Sequence, residues 1–302
     1  MRFARLVGPE GVPALGALLE DGSYLDVPRS LRAFRNAMGR DFVPFPLPET
    51  PLDAARHAER LKDLLPAAVA MLHRQGEYAH YVHPADTPLL APLPRPNRIL
   101  AIGRNYAEHA REQGASVAEE PIVFLKASTS VIGPEANIEI PDWLGRVDYE
   151  AELLVVLGKE GKNVAEADAM ELVVGYTIFN DVTARAQQRS DQERKHPWFR
   201  SKSVDTFGPM GPLLVTSEEI PDPHALRLSC RVNGELRQDD STGSMVYRIP
   251  ALIAFLSRWF RLEPGDVIAT GTPSGIGPVV PGDVVECRIE NLGVLRNPVV
   301  AV

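Results

Sequence analysis

Only two cysteines, Cys230 and Cys287, occur in the 302 residues. They are too few for a disulfide framework and fit no metal-ligand spacing, which points to a reducing compartment, although two thiols still permit one bridge. No stretch approaches the ~18 uninterrupted apolar residues that a membrane-spanning helix needs. The opening MRFARLVGPEGVPALGALLEDG is interrupted by Gly, Pro and acids and makes a poor secretory signal. A cytoplasmic protein with no membrane partner is therefore expected. Positive charge is also short: 32 Lys and Arg face 40 Asp and Glu, for a net charge of −8. Without a basic excess, a nucleic-acid partner is not expected. An acidic enzyme can still take acidic substrates if a metal or a few cations reverse the sign locally. The Gly-rich ATGTPSGIGP (269–278) has neither dinucleotide-fingerprint nor P-loop spacing, and turn use would explain it. No internal repeat is present.

What the chain does have is proline, 27 residues of it, and many short β-prone runs. The first forty-odd residues read as strands and turns (MRFARLV, ALGALLED, YLDVP). The Pro-rich FVPFPLPETPLD follows, and then an amphipathic helix from Pro51 to Gln75 with apolar residues at helical spacing. A second Pro-rich segment, residues 83–98, reads as a connection. Beyond it come RILAIG, PIVFLK, AELLVVLG, LVVGYTIFN, GPLLV, LRLSCRVNG, DVIATG and DVVECRIE, interrupted by helical patterns at 104–114 and 249–260. This predicts a mixed α/β, β-rich fold with few helices, a small N-terminal module over about 1–90 and a main domain over about 91–302.

Four carboxylates stand at the polar ends of apolar runs. In VDYEAELLVVLGK, side chains two apart on a strand share a face, so Asp148, Glu150 and Glu152 would point together. Like charges so arranged repel unless a cation joins them or water solvates them, and a solvated strand end is the alternative. Asp181 closes another β-branched run, where a helix cap is the alternative. Glu150, Glu152 and Asp181 together make an oxygen-ligand set suited to Mg²⁺ or Mn²⁺, with Ca²⁺ also possible. Zinc fits less well, because no Cys or His lies at ligand spacing there.

A second constellation lies in AIGRNYAEHAREQGA, where His109 and Glu112 are three apart on a helix and thus neighbours. A carboxylate beside an imidazole orients it and raises its basicity, as a general base requires, though an exposed surface pair would look the same. Lys202 sits in a loop-like stretch, where a solvated surface lysine is the alternative, and Lys126 directly follows the apolar run PIVFL, which is unusual but compatible with a strand end.

The order and wording of GRNYAEHARE, PIVFLKASTSVIGP, VDYEAELLVVLGK, GYTIFNDVTARAQQ, RSKSVDTFGP, IPDPHALRLSCRVNGELRQ and TGTPSGIGPV, over roughly residues 97–290, resemble the fumarylacetoacetate hydrolase family. The resemblance implies a β-roll with a metal at its opening and a homodimer. It assigns Glu150, Glu152 and Asp181 to the metal, and places Lys202, Gln188 and Thr272 beside the substrate. In acylpyruvase-like members the helix carrying His109 and Glu112 orders over ligand, so residues 104–120 are a candidate lid. The clearest departure is Ala127, where many members have Pro.

The activity implied is metal-dependent hydrolysis of a C–C bond in a 2-oxo acid of acylpyruvate or fumarylpyruvate type. His109, oriented by Glu112, would act on water, and Lys202 would offset developing charge. Decarboxylation, tautomerisation or dehydration of a 2-oxo acid could use the same set, and a catalytically silent metal-binding scaffold is the reading from another class.

Overall fold

Alternation of side chains along Ala151–Leu157 explains why the molecule is layered. Leu153, Val155 and Leu157 enter one apolar cluster while Leu154 and Val156 enter another, so both faces of this strand are buried. The structure is a computed structural model describing residues 1–112, 114, 116 and 118–302.

Ala151–Leu157 lies near the middle of a 12-stranded mixed sheet. On one side it pairs with Val173–Asn180, which leads to Gly208–Thr216. On the other it meets Val267–Ala269, then Ile99–Gly103 and the edge strand Ile122–Lys126. A five-stranded sheet, in order Glu235–Ser241, Arg227–Val232, Val284–Ile289, Gly293–Ala301 and Ile138–Ile140, supplies the facing half of the first cluster. In it Cys230 and Cys287 stand opposite each other on adjacent strands, as free buried thiols.

The N-terminal ninety residues extend the same sheet. Arg2–Val7 pairs with Gly208–Thr216 through Arg2–Val215 and Phe3–Leu214, and Pro13–Leu18, Tyr24–Asp26 and Val82–His83 continue outward. Helices Val27–Met38 and Ala58–Gln75 cover the second face, burying Leu31, Phe34, Leu61, Leu65, Ala68 and Leu72. Each such Leu contributes roughly 1.5–3 kcal/mol on leaving water.

The expected helix from Pro51 to Gln75 is two helices, Pro51–Arg56 and Ala58–Gln75, with the break at His57. The first is set by a reciprocal cap: Asp53 N donates to Thr50 Oγ1 at 3.1 Å and Thr50 N to Asp53 Oδ2 at 3.2 Å. The fold is mixed α/β and strand-rich, as expected, with 31% helix against 33% strand. The helix Val27–Met38 was hidden: it starts at a Val-Pro pair directly after a strand, and its first turn is fixed by Asp26 accepting from Arg29 N. Among the described residues no helix is long and apolar enough to cross a membrane.

Candidate active site

The site forms where the two central antiparallel strands end together. Ala151 pairs with Asn180, so Glu150 and Asp181 fall on the next rung. Glu150 N donates to Asn180 Oδ1 at 2.9 Å and Asp181 N to Glu150 O at 2.8 Å, closing that rung. Glu152 is fixed from the neighbouring loop, accepting from Gly271 N at 2.9 Å. Gly271 has φ +93°, and a Cβ there would lie 2.9 Å from Asn105 Cβ, so only glycine lets the loop approach. The result is a buried group in which ligand oxygens of Glu150, Glu152 and Asp181 lie within 4.8 Å of one another.

Burying three carboxylates is costly unless cations answer them. Lys202 Nζ donates to Glu150 Oε2 at 2.8 Å and Asp181 Oδ2 at 2.6 Å. Lys126 Nζ donates to Asp181 Oδ1 at 2.8 Å and Val182 O at 3.0 Å. Arg185 reaches Glu150 Oε1, donates to Asp148 Oδ2 at 2.8 Å, and donates to Gln188 Oε1 at 2.5 Å.

Titration follows from these partners. Burial alone would raise Glu150, but Lys202, Arg185 and His109 outweigh it and hold the carboxyl far below its usual range. Glu152, with burial first and the charges of Asp181 and Glu150 second, is pushed well above that range. Burial pulls Lys202 down, yet Asp181 and Glu150 keep it above an ordinary lysine; for Lys126 burial wins and lowers it.

Glu152 is thus the member of the trio left short of positive charge. An all-oxygen donor set with one under-compensated carboxylate fits a hard divalent cation such as Mg²⁺ or Mn²⁺, and the donors are those predicted.

His109 enters from the helix Ala107–Glu112 and is 4% exposed. Its Nδ1 lies 3.4 Å from Glu112 Oε2, and Glu112 also accepts from Gly275 N at 3.2 Å. Burial pulls the imidazole below its ordinary value, with Glu150 opposing, so the ring is neutral at physiological pH. A small cavity brings together His109, Glu150, Glu152, Asp181, Gln188, Lys202 and Thr272. Glu112, Asp148 and Lys126, also singled out from sequence, stand outside this wall, Glu112 behind His109.

Thr272 lines the cavity, but its hydroxyl donates to Ala151 O at 2.8 Å and accepts from Gln238 Nε2 at 2.8 Å. Of the candidate lid over 104–120, residues 113, 115 and 117 lie outside the described residues, and Ala107–Glu112 is helical.

Asp148 does not point with Glu150 and Glu152. It belongs to a separate short strand, Val147–Asp148, and Tyr149 and Glu150 interrupt the strand before Ala151–Leu157. Its carboxylate is taken up by Arg146 and Arg185. Asp181 is no helix cap, since the next helix, Arg185–Glu193, is capped at Ala184. Lys126 ends the strand Ile122–Lys126 as expected but is fully buried, and Arg185 was not singled out. The available signals were a lysine ending an apolar strand and an arginine one helical turn before Gln188.

The family model described as "Fumarylacetoacetate (FAA) hydrolase C-terminal" matches residues 98–300. The oxaloacetate tautomerase fahd2 of Xenopus laevis, named as mitochondrial, is 47% identical over 228 residues, covering 73% of this chain and 71% of that protein. The crystal structure of 5-carboxymethyl-2-hydroxymuconate delta-isomerase from Mycobacterium smegmatis is 35% identical, with a TM-score of 0.74 over 100% of this chain and 99% of that one. Fumarylpyruvate hydrolase from Pseudomonas aeruginosa, solved with Mn²⁺ and pyruvate, is 33% identical, with a TM-score of 0.66 over 72% of this chain and 93% of that one. Hydrolase, isomerase and tautomerase are thus all represented among its relatives. With the matched region spanning every residue of the carboxylate cluster and the His109 helix, the chain belongs to the fumarylacetoacetate hydrolase family.

Proposed function

We propose that this protein is a metal-dependent enzyme acting on a small 2-oxo acid, and that it hydrolyses a C–C bond of an acylpyruvate or fumarylpyruvate-like substrate. The observation that carries this is that one cavity holds the Glu150–Glu152–Asp181 cluster together with His109. A divalent cation held by those carboxylates would supply positive charge for the carboxylate and keto oxygens of the substrate and for the enolate that bond cleavage leaves.

The chain's own residues do the rest. Neutral His109, oriented by Glu112, takes a proton from water, and the hydroxide adds to the distal carbonyl. The C–C bond then breaks toward the 2-oxo acid, and a proton returned to that carbon gives pyruvate plus the acid. Lys202, already charged, offsets the developing negative charge. Arg185 holds Gln188 by its oxygen, which leaves the amide N–H groups to meet a substrate oxygen. Thr272, whose proton is committed to Ala151 O, bounds the pocket and fixes the loop.

A second reading, tautomerisation of oxaloacetate, is favoured by the higher identity to the Xenopus tautomerase than to the isomerase or hydrolase structures. It needs the same enolate with His109 moving a proton on carbon rather than activating water. The proposal also carries a homodimer, which the family resemblance implies. It further carries a cytoplasmic location, to which the mitochondrial name of the tautomerase relative is the alternative.

The test is an assay with Mg²⁺ or Mn²⁺ against acetylpyruvate, fumarylpyruvate and oxaloacetate. Pyruvate with an acid marks hydrolysis, accelerated enol–keto exchange marks tautomerisation, and pyruvate with CO₂ marks decarboxylation. Inactivity on all three, with metal bound, sinks the reading.

A further inference from the structure

Ala151, the residue between Glu150 and Glu152, is fully buried at the start of its strand. On the side away from Asn180 the strand pairs with Val267–Ala269, but among the described residues that ladder reaches only to Leu154. The N–H and C=O of Ala151 must still be answered, because a buried backbone group without a partner is costly. Side chains answer them. Ala151 N donates to Gln238 Oε1 at 3.1 Å, and Ala151 O accepts from Thr272 Oγ1 at 2.8 Å.

Gln238 comes from the other sheet, where it is the one buried residue of the strand Glu235–Ser241. A bulge aims it inward: Cys230 pairs with Gln238 but Arg231 with Leu236, which leaves Arg237 unopposed. At the same point the loop after Thr272 lies directly against this strand. A Cβ on Gly275, at φ +94°, would sit 2.1 Å from Arg237 O, so only glycine permits the approach.

The amide of Gln238 is fully employed. Besides accepting from Ala151, it donates through Nε2 to Thr272 Oγ1 at 2.8 Å and to Pro273 O at 2.9 Å. Turning the amide over would set N–H against N–H and oxygen against oxygen, so one orientation alone satisfies all three partners. The same loop supplies Gly271 N to Glu152. One buried side chain therefore fixes both the backbone between the two glutamates and the loop that holds one of them.

We propose that Gln238 is a positioning residue of the metal site, standing in for an absent strand partner and setting how the Glu150 and Glu152 carboxylates face a shared divalent cation. It does not line the cavity, so it acts on the chemistry only through Ala151 and the 271–273 loop. Partners that orient metal ligands in this way govern affinity without touching the ion.

The inference rests on the divalent cation of the proposed function and not on its substrate. The test is calorimetric titration of Mn²⁺ into wild type, Gln238→Met and Leu61→Ala. Methionine keeps the length of the side chain and removes its three hydrogen bonds. The Mn²⁺ Kd should rise about 10–100-fold in Gln238→Met. Leu61→Ala, which weakens the fold far from the site, should stay within about twofold of wild type. An unchanged Kd in Gln238→Met, or an equal rise in Leu61→Ala, would overturn the role, since lost stability would then explain everything. If Gln238→Met does not fold, Gln238→Asn takes its place. Its amide is one methylene too short to span all three partners, so a raised Kd is again expected and an unchanged one is fatal. The comparison needs no turnover. If wild type binds Mn²⁺ but consumes no 2-oxo acid, the activity falls and the Kd ratio still decides the role; if wild type binds no Mn²⁺, the role falls with the metal.

Discussion

The helical layer over the sheet and the cleft at the strand ends are both closed to water, yet by opposite means. In the layer, Leu31, Leu61, Leu65 and Leu72 meet Leu154, Val156, Leu214 and Val267, and nothing there needs a partner of stated geometry. In the cleft, Asp148, Glu150, Asp181, Lys126, Arg185 and Lys202 are all nearly inaccessible, and each is held by named ion pairs. Apolar burial stabilises through area and tolerates imprecise contact. Paired charges offset little more than their own desolvation, so they persist where something other than stability is gained. The layer is therefore expected to set stability and the cleft to set reactivity.

The strongest break of that comparison would come from His109→Ala. Removing a positioned general base should cost about 10²–10⁴-fold in kcat, with the melting temperature and metal affinity close to wild type. Undiminished kcat would reject the base assignment. Leu61→Ala makes the converse test: Leu61 is fully buried in the layer, and the cavity left behind should cost about 2–5 kcal/mol of unfolding free energy. Activity per folded molecule should not move. A large drop in kcat there would show that the layer reports to the site, and the separation would fail.

Metal addition probes the cleft from the other side. A ligand present at a hundredfold its Kd stabilises the state that binds it by about 2.7 kcal/mol. Mg²⁺ or Mn²⁺ should raise the melting temperature of wild type and Leu61→Ala by equal free-energy increments. Glu152→Gln, which removes the least compensated of the three carboxylates, should lose the increment. An increment retained in that variant would remove Glu152 from the ligand set. A smaller effect belongs to Thr50→Ala, which breaks the reciprocal cap of Pro51–Arg56. It should cost about 1 kcal/mol and leave the metal increment unchanged.

Legibility in the sequence differed between these regions for the same physical reason. Glu150, Glu152 and Asp181 were readable because strand periodicity and apolar run ends are local, and the ladder joining Ala151 to Asn180 brings them together. Asp148 was misplaced because the strand is interrupted at Tyr149 and Glu150, and a periodicity of two assumes an unbroken strand. The burial of Lys126 and the part played by Arg185 escaped notice because a buried cation looks like a surface one until its carboxylates, many positions away, are known. Likewise, nothing within residues 1–90 indicates that Arg2–Val7 pairs with Gly208–Thr216, because strand pairing at that separation leaves no local trace.

The finest test of the comparison is the acid limb of the pH–rate profile, where the cleft should respond and the layer should not. Burial lowers the His109 imidazole below its ordinary 6.5, so the active neutral base persists on the acid side of that value. A rate governed by neutral His109 is then fully present at neutral pH and lost as pH falls through the lowered pKa. A bound divalent cation adds positive charge nearby and moves the limb the same way. Glu112 acts in the opposite direction, its charge favouring the imidazolium. Glu112→Gln should therefore shift the acid limb of kcat/KM further toward low pH, while Leu61→Ala leaves it in place. The Glu112 shift is small because that carboxylate is 35% exposed and water screens it. Its sign still decides the matter: movement toward higher pH would mean that Glu112 does not face the titrating group, and the assignment of His109 as the base would lose its orienting partner.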